Sequence, residues 1–186
     1  MRLTLVTSNQ DKAKYFANLI GMEIDHADID LDEIQSLDLE EIVRHKVIQA
    51  YQIIQKPVVV EDVSLELEAF GGKLPGPFIK FFLQELSAQD ICNLVNGRSR
   101  RAVAHSVLGY YDGKNLKMFE GKLPGVIAKS PAGDNGFGFD KFLIPDGYNI
   151  TRAQMNEIDD RKTYLKIKRL DLLREFLNGQ DNREAF

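Results

Sequence analysis

The sequence is poor in features that would direct a chain out of the cell, into a membrane or onto nucleic acid. Cys92 is the only cysteine, so no disulfide can form within the chain, which fits a reducing cytosol. No apolar run approaches the ~20 residues of a membrane-spanning helix, and the N-terminus lacks the apolar stretch of a secretory signal. The net charge of −4 excludes general attraction to nucleic acid or membrane. We therefore expect a cytoplasmic protein with neither partner, in which any bound anion is held by a local cluster.

Other absences concern the organisation of the chain. It has no internal repeat, low-complexity tract or linker, and its three histidines do not show metal-ligand spacing. A length of 186 residues with 44% apolar residues suits one domain with a sizeable core. We therefore predict a single domain over residues 1–186, with a frayed polar tail after about residue 179.

Apolar periodicity predicts a chain that alternates between strands and helices. Strand–helix–strand order favours an α/β sheet, and the unbroken apolar run 58–60 predicts a strand covered on both faces. The predicted elements are a strand at 3–6, a helix that begins near Asn9 or Asp11 and ends at Gly21, a helix at 39–54, a strand at 58–60, helices at 78–86 and 88–95, strands at 101–111 and 116–120 around an Asp-Gly turn, a strand at 142–144 and a last helix at 160–177.

The first predicted strand delivers a polar cluster to the start of a helix. Thr7, Ser8 and Asn9 follow the strand directly, and Lys12 comes three positions after the asparagine. A helix N-terminus exposes unpaired N–H groups and the positive end of the helix dipole, which together favour phosphate. Because the Walker spacing is absent, two interpretations remain: an anion-binding loop, or a helix cap with a solvated lysine.

Two adjacent carboxylates, Glu61 and Asp62, follow the second predicted strand. At the end of a buried strand they cost desolvation unless a cation pairs with them. Mg²⁺ fits this need because it takes oxygen ligands and keeps positions for water and phosphate. A carboxylate beside it could accept a proton from an attacking water. The alternative is a strand end that reaches solvent.

The acidic stretch 28–35, DIDLDEIQ, allows three interpretations. Asp28 and Asp30 form the Asp-x-Asp pattern of phosphatases with an aspartyl nucleophile. The weak strand before this pattern and the residues after it argue against a nucleophile. One of the carboxylates could instead bind a metal, or the stretch could be a solvated loop.

Aromatic residues and a lysine occupy unusual positions in two further stretches. Phe137 and Phe139 lie among glycines in GDNGFGFD, where they could stack on a planar base while Asp140 accepts hydrogen bonds from ring N–H groups. The alternative is a loop pinned by two buried phenylalanines. Lys80 lies in the apolar run PFIKFF, where its ammonium must either extend to solvent or meet an anion.

Three stretches, in order and suitably spaced, resemble the inosine/xanthosine triphosphate pyrophosphatase family, and most closely its eukaryotic inosine triphosphatase branch. TSNQDK is similar to T-[GS]-N-x-x-K, and GFGFDKFLIPDGY to F-G-[WY]-D-P-x-F-x-P-D-G-Y. VVVEDVSLELEAFGGKLPGPFIKFFL is similar to the family's E-D-T segment followed by L-G-G-x-P-G-P-[YF]-I-K-[WF]-F-L. The resemblance implies an elongated mixed central sheet with flanking helices, two lobes around a nucleotide cleft, a nucleoside triphosphate substrate, Mg²⁺ as cofactor and a homodimer.

The resemblance also implies roles for matching positions. Deaminated purine nucleoside triphosphates would be the substrates, hydrolysed to the monophosphate and pyrophosphate. The implied site residues are Thr7, Ser8, Asn9 and Lys12 for the triphosphate, Lys46 and Lys80 as further substrate lysines, Glu33, Glu61 and Asp62 for the metal, Asp62 as the catalytic base, and Phe137, Gly138, Phe139 and Asp140 for the base pocket.

Three departures from the family pattern bear on this expectation. Val63 replaces a threonine, and Lys141 replaces a proline. In the last helix, residues 164–166 align with a Ser-His-Arg run that reads the purine, so that Lys166 would keep a cation there, while Asp160 aligns with a lysine. A site built for one base edge discriminates by ~10⁴, so this change affects base choice more than phosphate chemistry. The alternatives are a nucleotide-binding or regulatory homologue with weak hydrolysis, and a pyrophosphatase for a different modified base.

Overall fold

The computed structural model describes residues 2–181, which form one sheet with helices on both faces. The helices are α1 Gln10–Ile20, α2 Leu39–Ile54, α3 Ile79–Glu85, α4 Ala88–Asn93, α5 Glu157–Lys168 and α6 Leu170–Asp181. The strands are β1 Thr4–Val6, β2 Asp25–Ala27, β3 Val58–Leu67, β4 Pro75–Gly76, β5 Arg101–Tyr111, β6 Leu116–Ile127 and β7 Leu143–Pro145. None of the helices within residues 2–181 is long and apolar enough to cross a membrane.

The sheet is mixed, with the strand order β2-β1-β3-β5-β6-β7 and with β4 added to β3. β1 runs parallel to β2 and β3, whereas β3, β5, β6 and β7 pair antiparallel in succession. The two long strands β5 and β6 form the hairpin expected around the Asp-Gly turn. The predicted α/β fold with a mixed central sheet and flanking helices is confirmed.

One edge of β3 is interrupted in its middle. β1 pairs with residues 58–60 and β4 with residues 65–66 on that edge, while β5 follows β3 along its whole length on the other. Within the described chain, no strand pairs with residues 61–64 on the interrupted edge. The carboxylates of Glu61 and Asp62 therefore lie at an opening in the sheet that the end of β1 and the start of α1 border.

Alternation along β3 assigns its residues to two differently covered faces. Val58 and Val60 pack with Val43 and Val47 of α2 on one face. Val59 packs on the other face with residues of α1, α5 and α6. All three valines are buried, so the predicted two-sided cover of this strand is confirmed.

The structure differs from the predicted elements in the length of several of them and in two short strands, β2 and β4, that were not predicted. β3 continues through Glu61 and Asp62 to Leu67, because pairing with β5 extends the strand beyond its apolar start. The predicted last helix is two helices, separated at Arg169, whose φ of 49° is left-handed. α6 continues to Asp181, and the rest of the predicted frayed tail lies outside the described residues.

Gly121 of β6 lets α5 approach the sheet closely. A Cβ at this position would lie 2.0 Å from the carbonyl oxygen of Ile167, which is backbone and cannot move aside cheaply. We expect Gly121→Ala to lower the free energy of unfolding by about 2–3 kcal/mol, in the range for overpacked sites, measured by urea denaturation. In Gly179→Ala the new methyl group meets no described atom within 4 Å, and alanine favours helix. Equal losses in the two variants would contradict the assignment of the effect to α5.

Candidate active site

The polar cluster after β1 forms the N-terminal cap of α1. The Asn9 side-chain oxygen accepts a hydrogen bond from the Lys12 N–H at 3.0 Å, and the Thr7 hydroxyl oxygen accepts one from the Asn9 N–H at 3.1 Å. The cap is therefore confirmed, and it does not exclude anion binding. The solvated lysine of that interpretation is wrong, because the Lys12 side chain is only 16% exposed and lies beside Glu61. The Ser8 and Asn9 side chains remain exposed at the helix start, where N–H groups and the helix dipole favour a negative charge.

A cleft of about 800 Å³ opens beside this cap. It gathers all but one of the side chains for which the sequence predicted a role. The predicted residues that line it are Thr7, Ser8, Asn9, Lys12, Glu33, Lys46, Glu61, Asp62, Lys80, Phe137, Gly138, Phe139 and Asp140. Segments far apart in sequence thus share one site, whose size is in the range of small-molecule pockets.

Asp62 belongs to a chain of alternating charges on the α2 face of the sheet. The Lys46 ammonium lies 2.7 Å from Asp62 and 3.0 Å from Glu33, and Lys80 lies 3.1 Å from the other oxygen of Glu33. Burial would lower the pKa of Lys46, but Asp62 and Glu33 outweigh it and raise that pKa. Burial would raise the pKa of Glu33, but Lys46 and Lys80 outweigh it and lower that pKa. Both groups are therefore charged at neutral pH.

Glu61, the neighbour of Asp62, points to the opposite face. Its carboxylate contacts the ammonium of Lys168, accepts a hydrogen bond from the Ser106 hydroxyl at 2.7 Å, and lies 3.7 Å from the Lys12 ammonium. Burial alone would raise the pKa of Glu61, but the charges of Lys168 and Lys12 lower it. Adjacent carboxylates in one strand thus have separate cationic partners.

Aromatic rings form the far end of the cleft. Tyr15 of α1 meets Phe137 edge to face, with ring centroids 5.6 Å apart, and lies 5.0 Å from the ring of Tyr164 of α5. Burial raises the pKa of Tyr164, so its phenol is neutral at physiological pH. Phe139 is buried in the core beneath the loop. Half-buried Phe137 is the phenylalanine better placed to stack on a base.

A buried arginine joins two carboxylates at this end. The Arg152 guanidinium pairs with Asp140 and, at 2.6 Å, with Asp160, while its Nε donates to the Thr163 hydroxyl at 3.1 Å. Asp140 also accepts a hydrogen bond from the Phe137 N–H at 3.0 Å, which ties its carboxylate to the backbone of the loop that contains Phe137. Burial raises the pKa of Asp140, although Arg152 opposes that effect.

The loop requires a glycine where it meets this carboxylate. Gly136 has a φ of 73°, and a Cβ there would lie 2.3 Å from an Asp140 carboxylate oxygen. The glycine-rich composition of GDNGFGFD therefore has a steric reason at this position.

Lys166 is the one predicted site residue that the structure does not bring to the cleft. It lines a separate surface depression with Lys162 and Arg169. The helical period of α5 turns Asp160, Tyr164 and Lys168 toward the interior, four residues apart, and turns Lys166 outward.

Sequence reasoning missed Arg152 and Lys168. Lys168 could have been found from its position, because a charged side chain is unusual among the apolar residues that this helix turns inward.

The charges of the cleft bear on metal binding. Its lining carries six carboxylates and five cationic side chains, so it offers no excess positive charge to a triphosphate. Among the described residues, no group of three or more histidine, cysteine, aspartate and glutamate side chains could hold a metal alone. The Lys46 ammonium bridges the carboxylates of Glu33 and Asp62, so these two side chains can share one cation. Mg²⁺ is commonly bound by one or two carboxylates together with substrate phosphates. The donor set therefore fits Mg²⁺ that arrives with a nucleotide.

Comparison with known protein families matches residues 3–176 to the Ham1 family. The chain belongs to the Ham1 family. This match and the relatives described next confirm the family resemblance inferred from the three sequence motifs.

Relatives of this Ham1 chain occur in eukaryotes and archaea. Inosine triphosphate pyrophosphatase 2 of Trypanosoma cruzi is 37% identical, with 93% of this chain and 90% of that protein covered. The dITP/XTP pyrophosphatase of Thermococcus kodakarensis is 36% identical, with 96% of each covered. A HAM1 protein from Coxiella burnetii has the same fold, with a TM-score of 0.81 at 20% identity, over 96% of this chain and 100% of that one.

Proposed function

We propose that this chain is a Mg²⁺-dependent nucleoside triphosphate pyrophosphatase that hydrolyses inosine, deoxyinosine or xanthosine triphosphate to the monophosphate and pyrophosphate, and so clears these nucleotides from the pool. Relatives from two domains of life carry names for this activity. The observation that carries the proposal is one cleft that contains both a helix N-terminus suited to phosphate and the Asp62 carboxylate.

The triphosphate binds between the α1 cap and the lysines. The exposed Ser8 and Asn9 side chains donate hydrogen bonds to phosphate oxygens, and Lys12 adds a positive charge. Lys46 and Lys80, held by Glu33, neutralise charge on the departing pyrophosphate. Glu33 holds the two lysines before substrate arrives, which lowers the cost of organising them during the reaction.

Asp62 acts as the general base for a water that attacks the α-phosphorus. Its two oxygens accept hydrogen bonds from Lys46 and from the Val63 N–H at 2.8 Å, which fix the carboxylate while each oxygen keeps acceptor capacity. The proton passes from water to this carboxylate as the P–O bond to pyrophosphate breaks.

Glu33 and Asp62 would hold Mg²⁺. When bound, Mg²⁺ supplies the positive charge against phosphate oxygens that the cleft lining lacks. We assign Glu61 to the lysine side of the cleft rather than to the metal, because Lys168, Lys12 and Ser106 surround its carboxylate.

The base end supports a second candidate, a pyrophosphatase for a different modified base. Phe137 would stack on the base beside Gly138 and Asp140. However, the Arg152 guanidinium is engaged by Asp140, Asp160 and Thr163. The α5 groups at this end are a carboxylate and a phenol, which present a different hydrogen-bonding pattern from Ser-His-Arg. A panel of canonical and modified nucleoside triphosphates, ranked by kcat/KM, separates the two candidates.

Product analysis tests the reaction itself. With inosine triphosphate and Mg²⁺ we expect pyrophosphate and inosine monophosphate as the first products. In ¹⁸O-water the label should enter the monophosphate, because water attacks the α-phosphorus. Chelation of the metal should abolish turnover and added Mg²⁺ should restore it. Orthophosphate as the first product, or label in pyrophosphate, would refute this mechanism, and nucleotide binding without turnover would favour a regulatory homologue.

The remaining expectations about the cell are also proposals. We expect the enzyme to act in the cytoplasm as a homodimer, without a nucleic-acid partner. The reducing compartment inferred from Cys92 supports this location.

A further inference from the structure

Lys168 has a buried amino group at the end of α5. Its side chain is only 6% exposed and contacts Glu61, which is 5% exposed. Burial lowers the pKa of Lys168 below that of a free lysine, while the Glu61 carboxylate favours the ammonium form. Removing an ammonium from water destabilises the fold unless its partner compensates well, and an apolar residue often serves stability better at such a site. The position therefore calls for an explanation other than packing.

Glu61 has two cationic neighbours at different distances. Lys168 makes a direct contact with one carboxylate oxygen, which also accepts the Ser106 hydrogen bond. The Lys12 ammonium lies 3.7 Å from the other oxygen, beyond hydrogen-bonding distance, and its side chain is 16% exposed at the cleft. Lys168 is therefore the primary partner of Glu61, and Lys12 is only loosely held.

The charge balance of these three groups suggests what Lys168 does. With Lys168 present, two ammonium groups face one carboxylate, so one positive charge remains for a ligand. Without Lys168, a buried carboxylate would have Lys12 as its only cation and would attract that ammonium away from the cleft. Phosphate would then compete with Glu61 for Lys12.

We propose that Lys168 is a positioning residue for triphosphate binding: it takes up the charge of Glu61 and so leaves the Lys12 ammonium available to phosphate. Lys168 lines the cleft, but its ammonium contacts Glu61 and its side chain is only 6% exposed, so it acts through two other side chains. The proposal rests on the proposed function, since it explains how that site keeps its affinity for a polyphosphate.

Inorganic triphosphate is the probe for this role, because it binds without a base. We measure its inhibition constant against the hydrolysis of inosine triphosphate. For Lys168→Met we expect this constant and KM to rise about tenfold or more, the scale of one charge-assisted contact, with a smaller change in kcat. Lys168→Arg keeps the charge and should stay close to wild type. Lys162→Met, an exposed lysine of the same helix, is the matched control.

A second substitution separates this role from a merely structural one. Glu61→Gln removes the carboxylate that would capture Lys12, so the double variant Lys168→Met/Glu61→Gln should bind triphosphate within about threefold of wild type, a large departure from additivity. This variant lacks both buried charges, so it also serves if Lys168→Met fails to fold. Inhibition unchanged in Lys168→Met, or a double variant weakened beyond about threefold, overturns the proposal. Failure of the wild type to release pyrophosphate would instead refute the proposed function.

Discussion

Asp62→Asn should lower kcat for pyrophosphate release by about 10²–10⁴-fold, the usual contribution of a positioned general base. Asparagine keeps the size of the side chain, but with one oxygen it can accept a hydrogen bond from Lys46 or from the Val63 N–H and not from both. It cannot take a proton from water, and it weakens the carboxylate pair with Glu33. The measurement is steady-state pyrophosphate release with inosine triphosphate at saturating Mg²⁺.

Asp28→Asn is the matched control for this substitution. Asp28 is exposed and does not line the cleft, so we expect activity close to wild type. The aspartyl-nucleophile interpretation of the acidic stretch makes the reverse prediction, with Asp28 essential and Asp62 dispensable. That pattern of activities would overturn the assignment of Asp62.

Arg152→Leu should lower the free energy of unfolding by about 3–5 kcal/mol, the range for removing one partner of a buried ion pair. The Arg152 side chain is 3% exposed, and its removal would leave Asp140, which is 5% exposed, and Asp160 without their ion-pair partner. Two carboxylates close together in a buried site would repel each other. Urea denaturation measures the loss, and a clear drop in Tm should accompany it.

Arg101→Leu gives the exposed counterpart of the same experiment. Arg101 makes a two-pronged pair with Asp146, at 2.6 and 2.9 Å, but both side chains are about half exposed. Surface ion pairs of this kind contribute little to stability, so the free energy of unfolding should scarcely change. Similar losses of unfolding free energy in the two variants would show that burial does not explain the effect of removing Arg152.

Much of the fold could be predicted because periodicity and caps agree locally. The apolar stripe of α1, with Asn9 before it and left-handed Gly21 after it, sets that helix within one residue of its predicted start and end.

The full length of β3 was missed, although Val63, Leu65 and Leu67 alternate with polar residues as in a strand with one buried face. The two carboxylates at 61 and 62 interrupt the apolar pattern before this alternation, and pairing with β5 carries the strand through them. The division between α5 and α6 was also hidden, since Arg169 carries no glycine-like signal for its left-handed φ.

The site could be predicted in its outline but not in its pairing. Motif resemblance led to Lys12, Lys46 and Asp62, and the structure places all three in one cleft. Arg152 and Lys168 escaped notice because each has its partners on other elements, at separations that no local pattern encodes. The alignment with the family's last-helix motif points to Lys166 and not to Lys168, because an alignment takes no account of which residues a helix turns inward.

The alternation of Glu61 and Asp62 across β3 has a consequence for how such enzymes diversify. The Asp62 carboxylate, proposed to activate water, pairs with Lys46 of α2. The end of the cleft proposed for the nucleobase is lined by α5 and by the loop that contains Phe137. Substitutions at the nucleobase end can change which nucleotide is bound without changing the residues proposed for hydrolysis. A lineage could thus acquire a new substrate by altering the inward residues of α5 other than Lys168, while Asp62 and its partner on α2 stay unchanged.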